Sequence, residues 1–334
     1  MSLVGSSKRS PVELVSTLDS DLTILENDGI PNETRDKTLD DISNALSEIK
    51  YNFEQVEGED TTEFVAQISQ EFCNINVFLQ LMKVLGKLNL EAQNDAVHII
   101  STLLRRQVGA RVPVVDFLKV KKQGLFILLK KYESPNFVFN DGVLLRECMR
   151  YEPLAEKVLF APEFFELFKY IEMPKTDIAA DAFETFKILL TRHKLLASRF
   201  LEKNYDRFTE DFSNYFLKSD RYETKKNGID FLGELLLNRH NFDFMTRYIG
   251  NVENLELIMQ MLIDRRIRGI QLGAFNVFKV FVANPEKTPP VHDLLLKNKD
   301  DLVEFLTEFF SYSTDEQFND EKSIIIQSLR ALQP

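Results

Sequence analysis

The sequence predicts an all-α chain: a right-handed helical-repeat solenoid of armadillo/HEAT type, one elongated curved array with capping helices. Three observations predict it. First, one pattern returns five times: a small residue, an apolar neighbour, and apolar residues three and six or seven positions further on. It runs Ala96-Val97…Ile100…Leu103-Leu104, loosely Gly142-Val143…Met149, then Ala182-Phe183…Phe186…Leu189-Leu190, Gly228-Ile229…Leu232…Leu235-Leu236 and Ala274-Phe275…Phe278…Phe281-Val282. The small residues stand 46, 40, 46 and 46 residues apart. Apolar residues at that spacing line one face of an α-helix, and a helix returning every ~40–47 residues is the period of armadillo and HEAT repeats. Second, Gly (12) and Pro (11) are scarce in 334 residues, which suits long helices and short turns. Third, no stretch alternates apolar and polar residues as a half-buried strand would.

Taken in order, residues 1–10 are polar and are expected to form a mobile segment ahead of a repeat domain at 11–334. Ser10 can cap a helix that has Pro11 at its first position. That helix runs through Val12, Val15, Leu18, Leu22 and Leu25 and stops at Asn27-Asp28-Gly29. Leu39, Ile42, Leu46, Ile49 and Phe53 mark a second helix, and Gly58-Glu59-Asp60-Thr61-Thr62 reads as an acidic loop. The array proper begins with a helix at 62–73. Pairs of helices follow: 77–85 with 92–106, 124–132 with 140–151, 162–171 with 177–192, 208–216 with 221–238, and 255–262 with 268–283. Helices at 300–312 and 320–332 close the array, and the terminal helices are richer in charge, as capping repeats should be.

Composition narrows function by exclusion. The net charge of −11 argues against a nucleic-acid binder, which carries a basic footprint. Cys73 and Cys148 sit in apolar helical contexts and read as free thiols of a reducing compartment. No stretch approaches the ~18 apolar residues of a membrane span, the N-terminus lacks the apolar core of a signal peptide, and a cytoplasmic protein is expected. The four histidines, His98, His193, His240 and His292, are scattered with no second ligand at i+3 or i+4, so no metal site is expected. There is no Gly-rich phosphate loop and no G-x-S-x-G elbow. An EF-hand fails as well, because Ile24 and Glu26 occupy the first and third ligand positions before Asp28-Gly29. Neither an enzyme nor a cofactor is indicated, and a helical stack without chemistry is expected to serve as a surface for another protein.

Cations recur near the ends of the repeat helices: Arg105-Arg106, Arg146 with Arg150, Arg192-His193-Lys194 and Arg239-His240. They either complement helix dipoles or align into a ladder that meets acidic or carbonyl partners. Arg265-Arg266-Ile267-Arg268 lies in a turn. Leu255, Ile258, Met259 and Leu262 form a stripe that reads as core, with Met259 the member suited to an adaptable pocket.

Several long strings carry a resemblance. They include Leu144-Leu145-Arg146-Glu147-Cys148-Met149-Arg150-Tyr151-Glu152-Pro153-Leu154-Ala155, Gly233-Glu234-Leu235-Leu236-Leu237-Asn238-Arg239-His240-Asn241-Phe242, Val277-Phe278-Lys279-Val280-Phe281-Val282-Ala283-Asn284-Pro285 and Glu316-Gln317-Phe318-Asn319-Asp320-Glu321-Lys322. In this order, from about residue 11 to 330, the chain resembles the mouse-protein-25 family, also called calcium-binding protein thirty-nine.

The resemblance implies a non-catalytic armadillo-like scaffold. It would bind a sterile-20-class protein kinase or a STRAD-like pseudokinase and hold the kinase fold in its closed, active-type conformation. A further kinase joins in a ternary complex in animal relatives, and fungal relatives serve a polarity and cell-separation pathway. The free chain is expected to be a monomer, without nucleic-acid or membrane partners. Two surfaces are implied. Tyr222, Arg239 and Phe242 match positions of a concave kinase-binding face, and Met259, Lys226 and Lys297 match a pocket for a short Trp-Glu-Phe-type partner tail. Lys226 stands where animal relatives have Arg. Asp230 stands at a groove position, and Glu256 one helical turn before Met259, where animal relatives have basic residues, so a tail of the animal acidic type is expected to bind less well. The competing expectation is a helical-repeat adaptor of another class that grips extended peptides, but such grooves often use Trp rows and this chain has no Trp.

Overall fold

The computed structural model describes residues 9–54, 59–107 and 110–333, and among them it is built from α-helices with short 3₁₀ and π turns and no β-strand. The chain divides into two compact units, Met1–His193 and Lys194–Pro334.

In the first unit, α1 (Pro11–Glu26) and α2 (Asn32–Glu54) precede three triplets. These are α3 (Glu59–Asn74), α4 (Val77–Val84) and α5 (Leu90–Arg105); α6 (Pro113–Val120), α7 (Gln123–Lys130) and α8 (Phe139–Cys148); and α9 (Glu152–Leu159), α10 (Glu166–Ile171) and α11 (Thr176–Thr191). Equivalent helices stack: α2, α5, α8 and α11 form one row, α1, α4 and α7 a second, and α3, α6 and α9 a third. The second unit holds α12 (Lys194–Lys203), α13 (Tyr205–Phe212) and α14 (Tyr222–Leu237); α15 (Phe242–Ile249), α16 (Val252–Ile263) and α17 (Arg268–Ala283); and α18 (Pro289–Lys297), α19 (Lys299–Glu308) and α20 (Glu316–Arg330). Here α14, α17 and α20 form a row, α12 packs on α15, and α16 packs on α17 and α18.

The five predicted repeat helices are α5, α8, α11, α14 and α17, each within three residues of the expected ends. The small residue of each pattern is buried, Ala96, Ala182 and Ala274 completely, and a Cβ at Gly142 or Gly228 would meet the Asp181 or Phe216 side chain. The repeat has three helices rather than the expected two. In every triplet after the first, the extra helix is the opening one and is short, eight to ten residues. Thus α6 buries only Val114, Val115 and Leu118, too few positions to show a 3.6-residue period.

Ser10 caps α1 through a box with Glu13, and Pro11 takes the first turn. Of the segment expected to be mobile, residues 1–8 lie outside the described residues, whereas Arg9 pairs with Glu48 and Ser10 caps a helix, so these two belong to the fold. The acidic loop is corrected too. Gly58 lies outside the described residues, and Glu59 opens α3.

Phenylalanine fills the interior. Phe164 stacks on Phe186 with ring centroids 5.5 Å apart while Phe168 meets Phe186 edge-on at 5.0 Å. Phe275 packs against Phe309 and Phe318 at the far end of the second unit. Such pairs contribute ~0.5–1.5 kcal/mol each beyond the area they bury. Ion pairs tie the rows: Lys50 to Asp95 at 2.8 Å, Arg105 to Glu147 at 3.0 Å, Arg146 to Asp181 at 2.8 Å, and Lys279 to Glu321. Much of the cation ladder read from the sequence is therefore internal. Arg105, Arg146 and Arg150 bond carboxylates of their own or the next helix, and the His193 ring contacts the Met149 carbonyl oxygen at 2.9 Å.

Candidate partner-binding site

All the residues that the resemblance assigns to a partner surface lie in the second unit. Tyr222 is the first residue of α14, and Lys226 and Asp230 follow it at four-residue intervals, so the three form one stripe of the helix. Opposite the stripe, α17 carries Gly269 and Gly273, also four apart. A Cβ at Gly269 would lie 2.7 Å from the Tyr222 hydroxyl oxygen and 3.2 Å from Lys226 Cε, and one at Gly273 would lie 2.8 Å from Asp230 Oδ1. An added Cβ at either glycine would push the ends of these side chains off α17. Lys226 donates to Asp230 in an ion pair along the stripe. The carboxylate is the more exposed partner, at 47% against 29% for the lysine side chain.

Arg239 and Phe242 occupy the other end of α14. A sixteen-residue helix is ~24 Å long at 1.5 Å per residue. Tyr222 therefore belongs with Lys226 and Asp230, and the structure does not bring it to Arg239 and Phe242. The α14–α15 corner is pinned by two asparagines. The Asn238 side chain accepts from the His240 N–H at 3.1 Å, and buried Asn241 donates to the Leu235 carbonyl at 3.0 Å. With the corner fixed, Arg239 is exposed and makes no hydrogen bond or ion pair among the described residues. It is flanked by Leu237 and Phe242, which are 70% and 63% exposed. Leu237 escaped the sequence reading. Its signal was the run Leu235-Leu236-Leu237, in which a single buried face accommodates two and turns the third to solvent.

Of the predicted stripe on α16, Leu255, Ile258 and Leu262 are fully buried, whereas Met259 is half-buried. Glu256 is exposed one turn before it. Lys297 is the exposed last residue of α18. The three residues expected of a tail pocket stand on α14, α16 and α18, with α17 packed on both α14 and α16, and α18 packed on α16.

A cleft of about 440 Å³ opens at the start of α17, lined by Arg265, Arg268, Phe305, Glu308, Phe309 and Tyr312 among others. Met259, Lys226 and Lys297 do not line it. Arg265 reaches Glu308 at 3.6 Å and lies 5.9 Å from the Phe305 ring centre. Arg266 is engaged elsewhere. Its guanidinium grips Asp264 at 2.7 and 2.8 Å and its N–H donates to the same carboxylate, which holds that carboxyl down at about 2. The basic turn is therefore partly neutralised from within.

Among the described residues no group of three or more His, Cys, Asp or Glu is placed to hold a metal ion. None of the described helices is long and apolar enough to cross a membrane. Burial pushes the Cys148 thiol up to about 12, the state of an unreactive core thiol.

Comparison with known proteins fits this architecture. A family model described as Mo25-like matches residues 2–333. The "Calcium-binding protein 39-like" protein of Homo sapiens is 44% identical over 99% of this chain and 98% of its own length. The "MO25-like protein 2" of Caenorhabditis elegans is 40% identical over the same shares. The "Mo25-like protein" of Schizosaccharomyces pombe is 36% identical over 99% of both chains. With a helical-repeat fold and near end-to-end similarity to these proteins, the chain belongs to the Mo25-like family.

Proposed function

We propose that the chain is a non-catalytic scaffold that binds a sterile-20-class kinase or STRAD-like pseudokinase and stabilises its active conformation. A scaffold that contacts only the closed state shifts the population toward it by its differential affinity, and no chemistry by the scaffold is required. The observation that carries this reading is the corner of α14 and α15. A rigid turn there presents an unpaired Arg239 between exposed Leu237 and Phe242. Aromatic and arginine anchors around a fixed centre are the residues that dominate protein interfaces. A second surface takes a short apolar tail of the partner, with Met259 as its floor and Lys297 and Lys226 at its rim. The complex is cytoplasmic, serves a polarity-type signalling pathway and accepts a further kinase, while the free chain is a monomer.

The test is a phosphorylation assay of a purified sterile-20-class kinase domain with and without the chain. Stimulation by wild type that is lost with Arg239→Ala supports the proposal. A kinase whose rate the chain leaves unchanged at saturating concentration would end it.

A further inference from the structure

The charge of Asp230 meets its own chain before it meets a partner. Its carboxylate pairs with Lys226 one turn earlier on α14, and it is the more exposed member of the pair. Both groups lie over α17. The Lys226 stem lies against Gly269, Asp230 Oδ1 lies against Gly273, and Ile229 Cγ2 would come within 2.7 Å of a Cβ at Gly273. The charge of neighbouring Lys225 adds slightly to the lowering of the Asp264 carboxyl, which Arg266 already holds. On α16, the exposed charge nearest Met259 in sequence is Glu256.

We infer that Asp230 sets the charge preference of the Lys226 site, so that the segment bound there presents a neutral or cationic side chain rather than a carboxylate. This rests on the tail-pocket reading given above. An incoming carboxylate must share the Lys226 ammonium with Asp230, and it then lies beside a like charge. An incoming ammonium meets the outer, more exposed carboxylate with the pair intact. Like charges brought together at an interface cost specificity for the wrong partner, and this pair places the like charge on the acidic ligand.

The experiment uses fluorescence anisotropy with three labelled synthetic peptides that differ only in their ending: Trp-Glu-Phe, Trp-Gln-Phe and Trp-Lys-Phe. They are titrated with the full chain, with Asp230→Asn and with Met259→Ala. The wild-type chain is expected to hold the Lys tail ~3–10-fold more tightly than the Glu tail, and Asp230→Asn to reverse that order. Met259→Ala is expected to weaken all three alike. A wild-type chain that prefers the Glu tail, or an order that Asp230→Asn does not change, overturns the assignment while leaving the pocket standing. Absence of binding by all three tails removes the pocket itself, and the assignment with it.

Discussion

Asp181 lies so close to Gly142 that a Cβ on the glycine would come within 1.9 Å of the carboxylate Oδ2. This is the joint between α8 and α11. The same carboxylate receives both guanidinium nitrogens of Arg146 at 2.8 Å and the Tyr132 hydroxyl at 2.7 Å, and Thr185 closes the network. Gly142→Ala is expected to destabilise the first unit by ~2–4 kcal/mol, because it overpacks the joint and displaces a mostly buried ion pair. Urea unfolding followed by circular dichroism measures it. A midpoint equal to wild type would show that the helices part without loss.

Next to that glycine, Asp141 is fully buried, with Oδ2 accepting from the Val138 N–H and Oδ1 without a partner among the described residues. Burial pushes its carboxyl up to about 6, with Lys131 opposing and Asp181 reinforcing the rise. An unfolded aspartate titrates near ~3.9. Between these values the unfolded chain has released a proton that the folded chain keeps, so stability falls as pH rises from about 4 through about 6 and is level above. Asp141→Asn, which can still accept from Val138, is expected to flatten the curve in that window. Paired urea titrations of both proteins read the difference directly.

The α14–α15 corner yields a prediction that separates binding from folding. Arg239→Ala, Leu237→Ser and Phe242→Ala alter exposed side chains, so each should change unfolding stability by less than ~0.5 kcal/mol. Binding of a sterile-20-class kinase domain should weaken by ~1–3 kcal/mol for Arg239 and Phe242, the range of interface anchors. Calorimetric titration beside thermal melts decides it, and a parallel loss of both quantities would mean the corner is structural.

Met259→Ala removes a half-buried side chain from α16 while Leu255, Ile258 and Leu262 keep the core. Tail-peptide affinity is expected to drop ~5–30-fold, since deleting a contacting side chain of this size costs ~1–2 kcal/mol at an interface. The melting temperature should move little. Unchanged affinity would place the apolar floor elsewhere.

Calcium should not bind at Asp28-Gly29. The Asp28 carboxylate is held by Lys87 at 2.7 Å, and that hydrogen bond and charge keep its pKa below the usual range. Isothermal titration of the full chain with calcium chloride is expected to give only heats of dilution.

The rows of repeat helices were legible because α5, α11, α14 and α17 each run sixteen residues, long enough for the apolar period to repeat. The opening helices of the later triplets were not, although α3 was read as a helix at 62–73. Eight residues such as α15 bury only Phe244, Tyr248 and Ile249, a set that reads equally as a turn. At the site, Arg239 and Phe242 followed from family strings, whereas Leu237 depended on helix register inside a leucine run. Lys226 and Asp230 are four apart and oppositely charged, a spacing that favours pairing on any helix. Read only as a reversal against a partner, Asp230 hid the fact that its first partner is its own neighbour.

The self-pairing of cations along the helix rows also bears on how fast a partner arrives. Lys50, Arg105, Arg146, Lys226 and Lys279 each face a carboxylate of the same chain, so locally they cancel. The surplus of −11 is left to act at a distance. A field of that sign draws in basic surfaces and slows acidic ones. It fades beyond the ~8 Å screening length of physiological salt. Association with a basic partner should therefore slow as salt is raised, while a residence time set by the contacts proposed at Leu237, Arg239 and Phe242 should change far less.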